Sequence, residues 1–177
     1  TLMNKGLEVL EAHHLFGSPL GSIDVVIHPQ SGVHSAVEMV DGSVLAQLGV
    51  PDMRLPIQYA LTYPDRVESS VDRLSLTELG SLDFQSVDRA RYPCLGLAYE
   101  AGRRGGTCPA AMNAANEEAV WAFLEGRIGF TGIAEVVERV MEAHAPLPGD
   151  SLEEIMNADA AARVEAQREI KDMEARR

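Results

Sequence analysis

Apolar residues near the start of the chain recur with the period of a helix. One stripe, at intervals of three and four residues, comprises Met3, Leu7, Leu10 and His14. A neighbouring stripe comprises Leu2, Gly6, Val9 and His13. This spacing predicts a helix over residues 1–16, and Gly17 and Pro19 are residues that end helices.

The pattern then changes to that of β-strands. Residues 23–27 (IDVVI) are rich in β-branched side chains and predict a short buried strand. Residues 33–40 alternate between two faces, and residues 43–48 follow as a return strand. Between them Asp41 and Gly42 form a pair typical of hairpin turns. The sequence therefore predicts two or three strands, at least two of them antiparallel.

The rest of the chain is helical except for one long connection. Pro56 can occupy the first turn of a helix that runs to Tyr63, whereas residues 64–91 show little periodicity. Further helical patterns begin at Pro93 and continue at 110–124, 133–141 and after a capping box formed by Ser151 and Glu154. The chain is thus expected to be α+β, with a small sheet followed by a bundle of about four helices.

Composition narrows the class of protein. The chain has 177 residues, with 15 basic and 27 acidic side chains and a net charge of −12. This acidity argues against a nucleic-acid partner, because phosphate contacts need clustered Lys and Arg. No apolar run reaches the ~20 residues of a membrane span, so no membrane partner is expected. Two cysteines are too few for a disulfide scaffold, which favours a reducing, cytoplasmic location.

The first helix carries the most informative polar group. Asn4, Lys5 and Glu8 are three and four residues apart, which places an amide, an ammonium and a carboxylate on one face. Such a face can bind a polyhydroxylated or phosphorylated ligand, and the carboxylate can bind a hard metal ion. The same spacing is also typical of a solvated surface ion pair.

Other forms of chemistry find less support in the sequence. His13 and His14 point ~100° apart on a helix, so they cannot bind one ion together. His34 is either a hydrogen-bonded histidine among apolar neighbours or a catalytic group. Cys94 is expected to be a small core residue. The chain contains neither a GxGxxG nor a GxSxG motif.

Six ordered motifs give a more specific reading. They are Met3–Glu8 (MNKGLE), His28–Ser31 (HPQS) with His34 and Ser35, Asp41–Ser43 (DGS), Pro51–Ile57 (PDMRLPI), Arg91–Leu95 (RYPCL) and Asn113–Glu117 (NAANE). Together they strongly resemble the 1-deoxy-D-xylulose 5-phosphate reductoisomerase family, over essentially all 177 residues.

The resemblance implies a division of the chain. Residues 1–63 correspond to the second half of the catalytic domain, with a small, mostly antiparallel sheet. Residues 64–91 correspond to a connecting segment, and residues 92–177 to a C-terminal four-helix bundle. The family's nucleotide-binding domain, its mobile lid, its substrate-binding serines and two further acidic metal ligands would precede Thr1. The chain is therefore expected to be a fragment that is inactive alone.

The resemblance also implies an activity and roles for the first helix. The family uses NADPH and a divalent metal (Mg, Mn or Co) to convert 1-deoxy-D-xylulose 5-phosphate into 2-C-methyl-D-erythritol 4-phosphate, an isoprenoid precursor. Asn4 and Lys5 match positions that bind substrate oxygens. Glu8 matches the third metal-ligating carboxylate, which also touches the substrate. Lys5 and Glu8 are therefore implied to be catalytic.

Three further positions match the lining of the same pocket. His34 is implied to be catalytic, and Pro51 and Met53 are implied to face the nicotinamide. The family usually has bulky apolar residues where this chain has Gly32 and Ala36. A glycine there would add conformational freedom just before His34.

Two alternatives to an active parent enzyme stay open. Family members are homodimers, so the chain would serve as a non-catalytic assembly module if residues 23–48 form a subunit interface. A paralogue that binds another sugar phosphate would keep the same three polar residues on its first helix.

Overall fold

The computed structural model describes residues 1–176. In chain order the elements are α1 (Met3–Phe16), a 3₁₀ turn (Leu20–Ser22), β1 (Val26–Ile27), β2 (Val33–Glu38), β3 (Val44–Leu48), α2 (Arg54–Thr62), α3 (Leu76–Leu79), β4 (Gln85–Ser86), α4 (Pro93–Arg104), α5 (Cys108–Leu124), α6 (Gly132–Ala143) and α7 (Leu152–Ala175). The strands form two antiparallel two-stranded sheets, β1 with β4 and β2 with β3. The predicted α+β class is confirmed.

The elements belong to two compact units. The helical unit combines Thr1–Val25 with Asp88–Arg177, and the β unit is Val26–Val87. The predicted domain borders at 63/64 and 91/92 concern the parts of the family and stay a prediction. None of the helices within residues 1–176 has the length and apolar character that crossing a bilayer requires.

The predicted bundle is present as α4, α5, α6 and α7. Its centre is made of small side chains, because five alanines of α5 are fully buried and α7 contributes a buried alanine on each of three successive turns. Such side chains let helices approach closely at almost no cost in side-chain entropy. The predicted apolar face of α6 is also buried, and it consists of Ile133, Val136, Val137, Val140 and Met141.

Local signals explain where the helices begin and end. Gly17 follows α1 with a φ of 65°, a left-handed conformation that ends a helix and that glycine adopts without strain. At the start of α7 the Ser151 hydroxyl accepts a hydrogen bond from the backbone N–H of Glu154 at 3.1 Å. The predicted capping box is therefore confirmed on its serine side. Helix α2 begins at Arg54, two residues before the predicted Pro56.

The predicted hairpin is confirmed. Val37 pairs with Leu45 across β2 and β3, and the Asp41 carboxylate accepts the backbone N–H of Ser43 at 2.9 Å in the turn. Both strands are exposed along most of their length, on both faces of the hairpin.

The prediction of a buried strand over 23–27 was wrong in length and in burial. Only Val26 and Ile27 form a strand, and Val26 is 54% exposed. Ile23 instead follows the 3₁₀ turn, and its carbonyl accepts the Tyr99 hydroxyl at 2.7 Å. The unperiodic segment 64–91 provides the partner strand, Gln85–Ser86.

Candidate functional site

Asn4, Lys5 and Glu8 lie on the exposed side of α1, opposite a buried face that includes Met3 and Val9. The Lys5 Nζ atom is 2.7 Å from the Glu8 Oε2 atom, and the two side chains are 49% and 55% exposed. The helix thus holds an amide, an ammonium and a carboxylate on one accessible surface, in the arrangement that the spacing predicted.

The buried face of α1 packs on α4. Gly6 makes the closest approach, because an ideal Cβ atom there would lie 2.4 Å from the Ala98 Cβ atom. Real Cβ atoms essentially never come so close, so this packing requires glycine at position 6. The lack of a Cβ atom at Gly6 therefore sets how closely α1 approaches α4 of the bundle.

His34 occupies an irregular point of β2. Val33 pairs with Leu48 and Ser35 pairs with Gln47, so His34 is the extra residue of a β-bulge. Bulges redirect side chains, and they recur next to active sites. The His34 Nε2 atom lies 3.1 Å from the carbonyl oxygen of Gly49. Because a carbonyl only accepts, Nε2 carries the proton, and a neutral His34 offers Nδ1 as an acceptor.

Gly32 lies close to Leu79. An ideal Cβ atom at Gly32 would lie 2.9 Å from Leu79 Cδ2 and 3.7 Å from His28 Nε2, so a larger residue there would require the flexible Leu79 side chain to shift. The hydrogen bond to Gly49 orients the His34 ring.

Pro51 and Met53 flank a short turn between β3 and α2. Both are exposed, and Met53 is 70% exposed. Between them the Asp52 carboxylate binds Arg54 through Nε at 3.0 Å and Nη2 at 2.6 Å, and it also accepts the Arg54 backbone N–H at 2.9 Å. These hydrogen bonds from Arg54 lower the pKa of Asp52 to about 2.

The sequence prediction did not name Asp52. Its carboxylate ties down the turn that carries Pro51 and Met53. The signal was present in the PDMR run, because Asp and Arg two residues apart around a turn can form such a side-chain clamp.

The predicted residues fall into two groups. The helical unit holds Asn4, Lys5 and Glu8 together on α1, and the β unit holds His34, Pro51 and Met53. Within the β unit His34 contacts Gly49, two residues before Pro51.

Among the predicted site residues, Glu8 is the one that offers a carboxylate to a metal. Over residues 1–176 no group of three or more His, Cys, Asp or Glu side chains is arranged to hold a metal ion. A hard divalent cation takes about six oxygen ligands. The exposed Glu8 carboxylate fits the role of one such ligand, and it does not make a complete site.

Both cysteines are core residues, as expected for Cys94. Cys94 and Cys108 are free thiols, and burial raises the pKa of each above its ordinary value. A buried thiol with a raised pKa is a poor nucleophile.

Comparison with known proteins gives the same family throughout. Residues 48–165 match the family described as DXP reductoisomerase C-terminal domain. The 1-deoxy-D-xylulose 5-phosphate reductoisomerase of Cupriavidus necator is 56% identical over all 177 residues, which are 45% of that protein. The enzyme of that name from Chlorobium phaeobacteroides is 59% identical over 163 residues, which cover 92% of this chain and 42% of that protein.

Solved structures agree in fold. The reductoisomerase of Zymomonas mobilis in complex with NADPH superposes with a TM-score of 0.91 at 47% identity, over 96% of this chain and 45% of that chain. A DOX-P reductoisomerase in complex with NADPH, fosmidomycin and magnesium superposes with a TM-score of 0.90, also at 47% identity, over 96% of this chain and 44% of that one.

The chain spans less than half the length of these relatives. The family match nevertheless covers about two thirds of the chain, and the identity is high along all of it. The resemblance suggested by the six motifs is thus confirmed, and the chain belongs to the 1-deoxy-D-xylulose 5-phosphate reductoisomerase family.

Proposed function

We propose that this chain is the C-terminal part of an NADPH- and divalent-metal-dependent enzyme that converts 1-deoxy-D-xylulose 5-phosphate into 2-C-methyl-D-erythritol 4-phosphate. The observation that carries the proposal is the exposed group on α1, where Lys5 and Glu8 are 2.7 Å apart beside Asn4. The two buried free thiols suit action in a reducing, cytoplasmic compartment.

Glu8 is proposed as a metal ligand and Lys5 as a substrate-binding and catalytic residue. The exposed ion pair between them contributes under about 1 kcal/mol, so exchanging it for new partners costs little. Glu8 can then ligate the cation, while Lys5 stabilises substrate oxygens that gain negative charge. Asn4 is proposed to orient the substrate through hydrogen bonds from its amide. The bound divalent ion supplies polarisation of the substrate oxygens, and NADPH supplies the hydride.

His34, Pro51 and Met53 are proposed to line the substrate and nicotinamide pocket. Pro51 and Met53 offer an exposed apolar surface, which suits contact with an aromatic ring. The Nδ1 atom of His34 can accept a hydrogen bond or a proton from a ligand, because Nε2 is engaged with Gly49. The Asp52–Arg54 clamp keeps the turn beside this surface in one shape.

Assembly through the β2–β3 hairpin is the second candidate function. Apolar side chains are exposed on the hairpin, with Val37 60%, Val44 60% and Leu45 63% exposed. Strand edges with free backbone groups pair readily with other strands. We therefore propose that the hairpin binds the hairpin of a second copy and forms a homodimer.

The test enzyme joins the complete 177-residue chain to the part of the Cupriavidus necator reductoisomerase that precedes its matching region. With 1-deoxy-D-xylulose 5-phosphate, NADPH and Mg²⁺ it is expected to oxidise NADPH, and it is expected to bind fosmidomycin in the presence of Mg²⁺. A folded test enzyme without turnover contradicts the proposed activity. Turnover only with another sugar phosphate identifies a paralogue with changed specificity.

The isolated chain separates the two candidate functions. It is expected to show no NADPH oxidation, because one carboxylate cannot hold the cation alone. It is still expected to form dimers in light scattering after size exclusion. Turnover by the isolated chain contradicts the fragment prediction, and a monomer at all concentrations contradicts assembly through the hairpin.

A further inference from the structure

We propose that Gly6 and Ala98 are positioning residues for the ligand-binding side of α1. Through this pair, helix α4 of the bundle sets where Asn4, Lys5 and Glu8 lie. The inference rests on the proposed function of these three side chains. It assigns to the C-terminal bundle a part in ligand binding, although its own helices α4–α7 carry none of the proposed ligand-binding residues.

The contact between Gly6 and Ala98 leaves no room for a side chain at position 6. An ideal Cβ atom at Gly6 would lie 2.4 Å from the Ala98 Cβ atom, whereas ordinary contact begins at 3.4 Å. The Ala98 Cβ atom is attached to the backbone of a fully buried helix position and cannot rotate away. A methyl group at position 6 would therefore push α1 off α4 by about 1 Å.

A second contact lies one turn further along the same pair of helices. Leu10 packs over Gly102, where an ideal Cβ atom would lie 2.8 Å from Leu10 Cδ2 and 2.8 Å from Leu20 Cδ1. Gly6 and Leu10 are four residues apart on α1, and Ala98 and Gly102 are four residues apart on α4. The two helices therefore pack along two successive turns, and the rigid Gly6–Ala98 contact sets their distance.

The three proposed ligand-binding residues lie so close to Gly6 that a displacement of α1 at Gly6 moves them as well. Lys5 is the residue next to Gly6, and Asn4 and Glu8 lie two residues away on either side. A helix transmits a local displacement within one turn almost rigidly, so all three side chains move with Gly6. A displacement of 1 Å in a positioned group can cost about 10²-fold in rate or affinity.

Substitutions in the test enzyme examine the proposal directly. We expect Gly6→Ala to raise the dissociation constant of fosmidomycin measured with Mg²⁺ by about 10²-fold in calorimetry. The dissociation constant of NADPH should stay within about twofold, because Pro51 and Met53 belong to the other unit. Adding Ala98→Gly removes the opposing methyl group. The double variant should recover most of the fosmidomycin affinity.

Gly132→Ala is the matched control. Gly132 is also a buried helical glycine, and its ideal Cβ atom would lie 3.0 Å from Met173 Cε and 3.3 Å from Ile128 Cβ, away from α1. We expect this variant to lower the unfolding midpoint and to leave fosmidomycin affinity unchanged. An equal loss of affinity in Gly132→Ala would show that general destabilisation is the cause, and the proposal would be wrong.

The remaining outcomes are equally decisive. If Gly6→Ala folds and binds fosmidomycin like the parent, Gly6 is not a positioning residue. If Gly6→Ala does not fold, the variant that combines Gly6→Ala with Ala98→Gly tests the proposal instead. If this double variant folds but binds fosmidomycin about 10²-fold more weakly than the parent, the pairing of Gly6 with Ala98 is wrong. A parent test enzyme that neither turns over substrate nor binds fosmidomycin overturns the proposed function itself.

Discussion

The Nζ atom of Lys5 lies 2.7 Å from the Oε2 atom of Glu8, on the exposed side of a helix whose other side is buried. A residue proposed to bind substrate and a residue proposed to bind metal are thereby joined before either ligand arrives. The ion pair keeps both long side chains ordered. Because the pair is exposed, breaking it to bind substrate and metal costs little free energy.

Glu8→Gln is expected to raise the Mg²⁺ concentration needed for half-maximal turnover of the test enzyme at least tenfold. It is also expected to lower kcat/KM by about 10²-fold or more. The reason is that an amide is a weaker ligand for a hard cation than a carboxylate. Steady-state kinetics over a Mg²⁺ series measure both effects. Glu11→Gln, on an exposed position of the same helix, is the control and should change neither. Unchanged metal dependence in Glu8→Gln would remove Glu8 from the metal site.

His34→Gln is expected to lower kcat/KM of the test enzyme by about 10²-fold, the lower end of what a positioned proton-transfer group contributes. Gln keeps a donor for the Gly49 carbonyl but has no ring nitrogen in the place of Nδ1. Steady-state kinetics measure the loss. The exposed His14 serves as control through His14→Gln, and an unchanged kcat/KM in His34→Gln would contradict a catalytic role of His34.

Asp52→Asn is expected to raise the KM for NADPH about threefold to tenfold, because the turn that presents Pro51 and Met53 loses its charged clamp. The pKa of Asp52 is about 2 in the folded chain, below its usual 3.8. The clamp is therefore complete above about pH 4 and is lost as the pH falls through 2. Asp65→Asn is the control, since only the backbone of Asp65 is bonded to Thr62. An unchanged KM in Asp52→Asn contradicts the role of the clamp.

His144 predicts a pH-dependent stability of the helical unit. Its Nε2 atom is 2.9 Å from the hydroxyl of the buried Thr107, which already accepts the Leu147 backbone N–H at 3.0 Å. A neutral His144 can accept a hydrogen bond from the Thr107 hydroxyl at Nε2, whereas a protonated His144 cannot. Burial, and then the charge of Arg104, lower the pKa of His144 below its usual 6.5.

The sign of this dependence follows from the lowered pKa. His144 binds a proton more readily in the unfolded chain than in the folded chain. Its contribution to stability is therefore complete above about pH 6.5. That contribution is lost as the pH falls from 6.5 toward the lower pKa of His144 in the folded chain. Urea unfolding of the 177-residue chain at pH 7.5 and 5.5 should show the loss. His144→Gln should reduce the difference while costing about 1 kcal/mol at pH 7.5. An equal pH dependence in the variant would contradict the assignment.

Arg163 of α7 binds two carboxylates of α5 and one carboxylate of its own helix. Its guanidinium binds Asp159 at 2.8 Å, Glu117 at 2.7 Å and Glu118 at 3.3 Å, and these bonds raise its pKa above the ordinary value. Arg163→Lys keeps the charge but loses the planar fork, and we expect a loss of about 1–2 kcal/mol in urea unfolding. Arg168→Lys should cost under about 0.5 kcal/mol, because Arg168 is 68% exposed and bonded to Glu165. Equal losses would refute the network.

Sequence patterns sufficed where the controlling forces are local. The period of apolar residues located α1 and α6, the Asp41–Gly42 pair located the hairpin, and Ser151 located the start of α7. The exposed group on α1 followed from the same period, because residues three and four apart share one face of a helix.

Features set by distant partners were beyond such patterns. The residues before β1 were read as part of a strand, but the carbonyl of Ile23 is bound by Tyr99, which follows 76 residues later. Alternation along β2 suggested a regular strand, whereas the bulge at His34 depends on how Leu48 and Gln47 pair with it. The need for glycine at position 6 becomes visible only when Ala98 is placed against it.

The pairing of α1 with α4 has a consequence for how the protein is made. Ala98 follows Gly6 by roughly ninety residues, which a ribosome adds in about 5–20 s at ordinary speed. The β unit, Val26–Val87, emerges in that interval, while α1 still lacks the α4 surface against which Met3 and Leu10 pack. A nascent chain therefore exposes this apolar face until α4 leaves the exit tunnel, and α1 takes its final position only after the whole β unit has been synthesised.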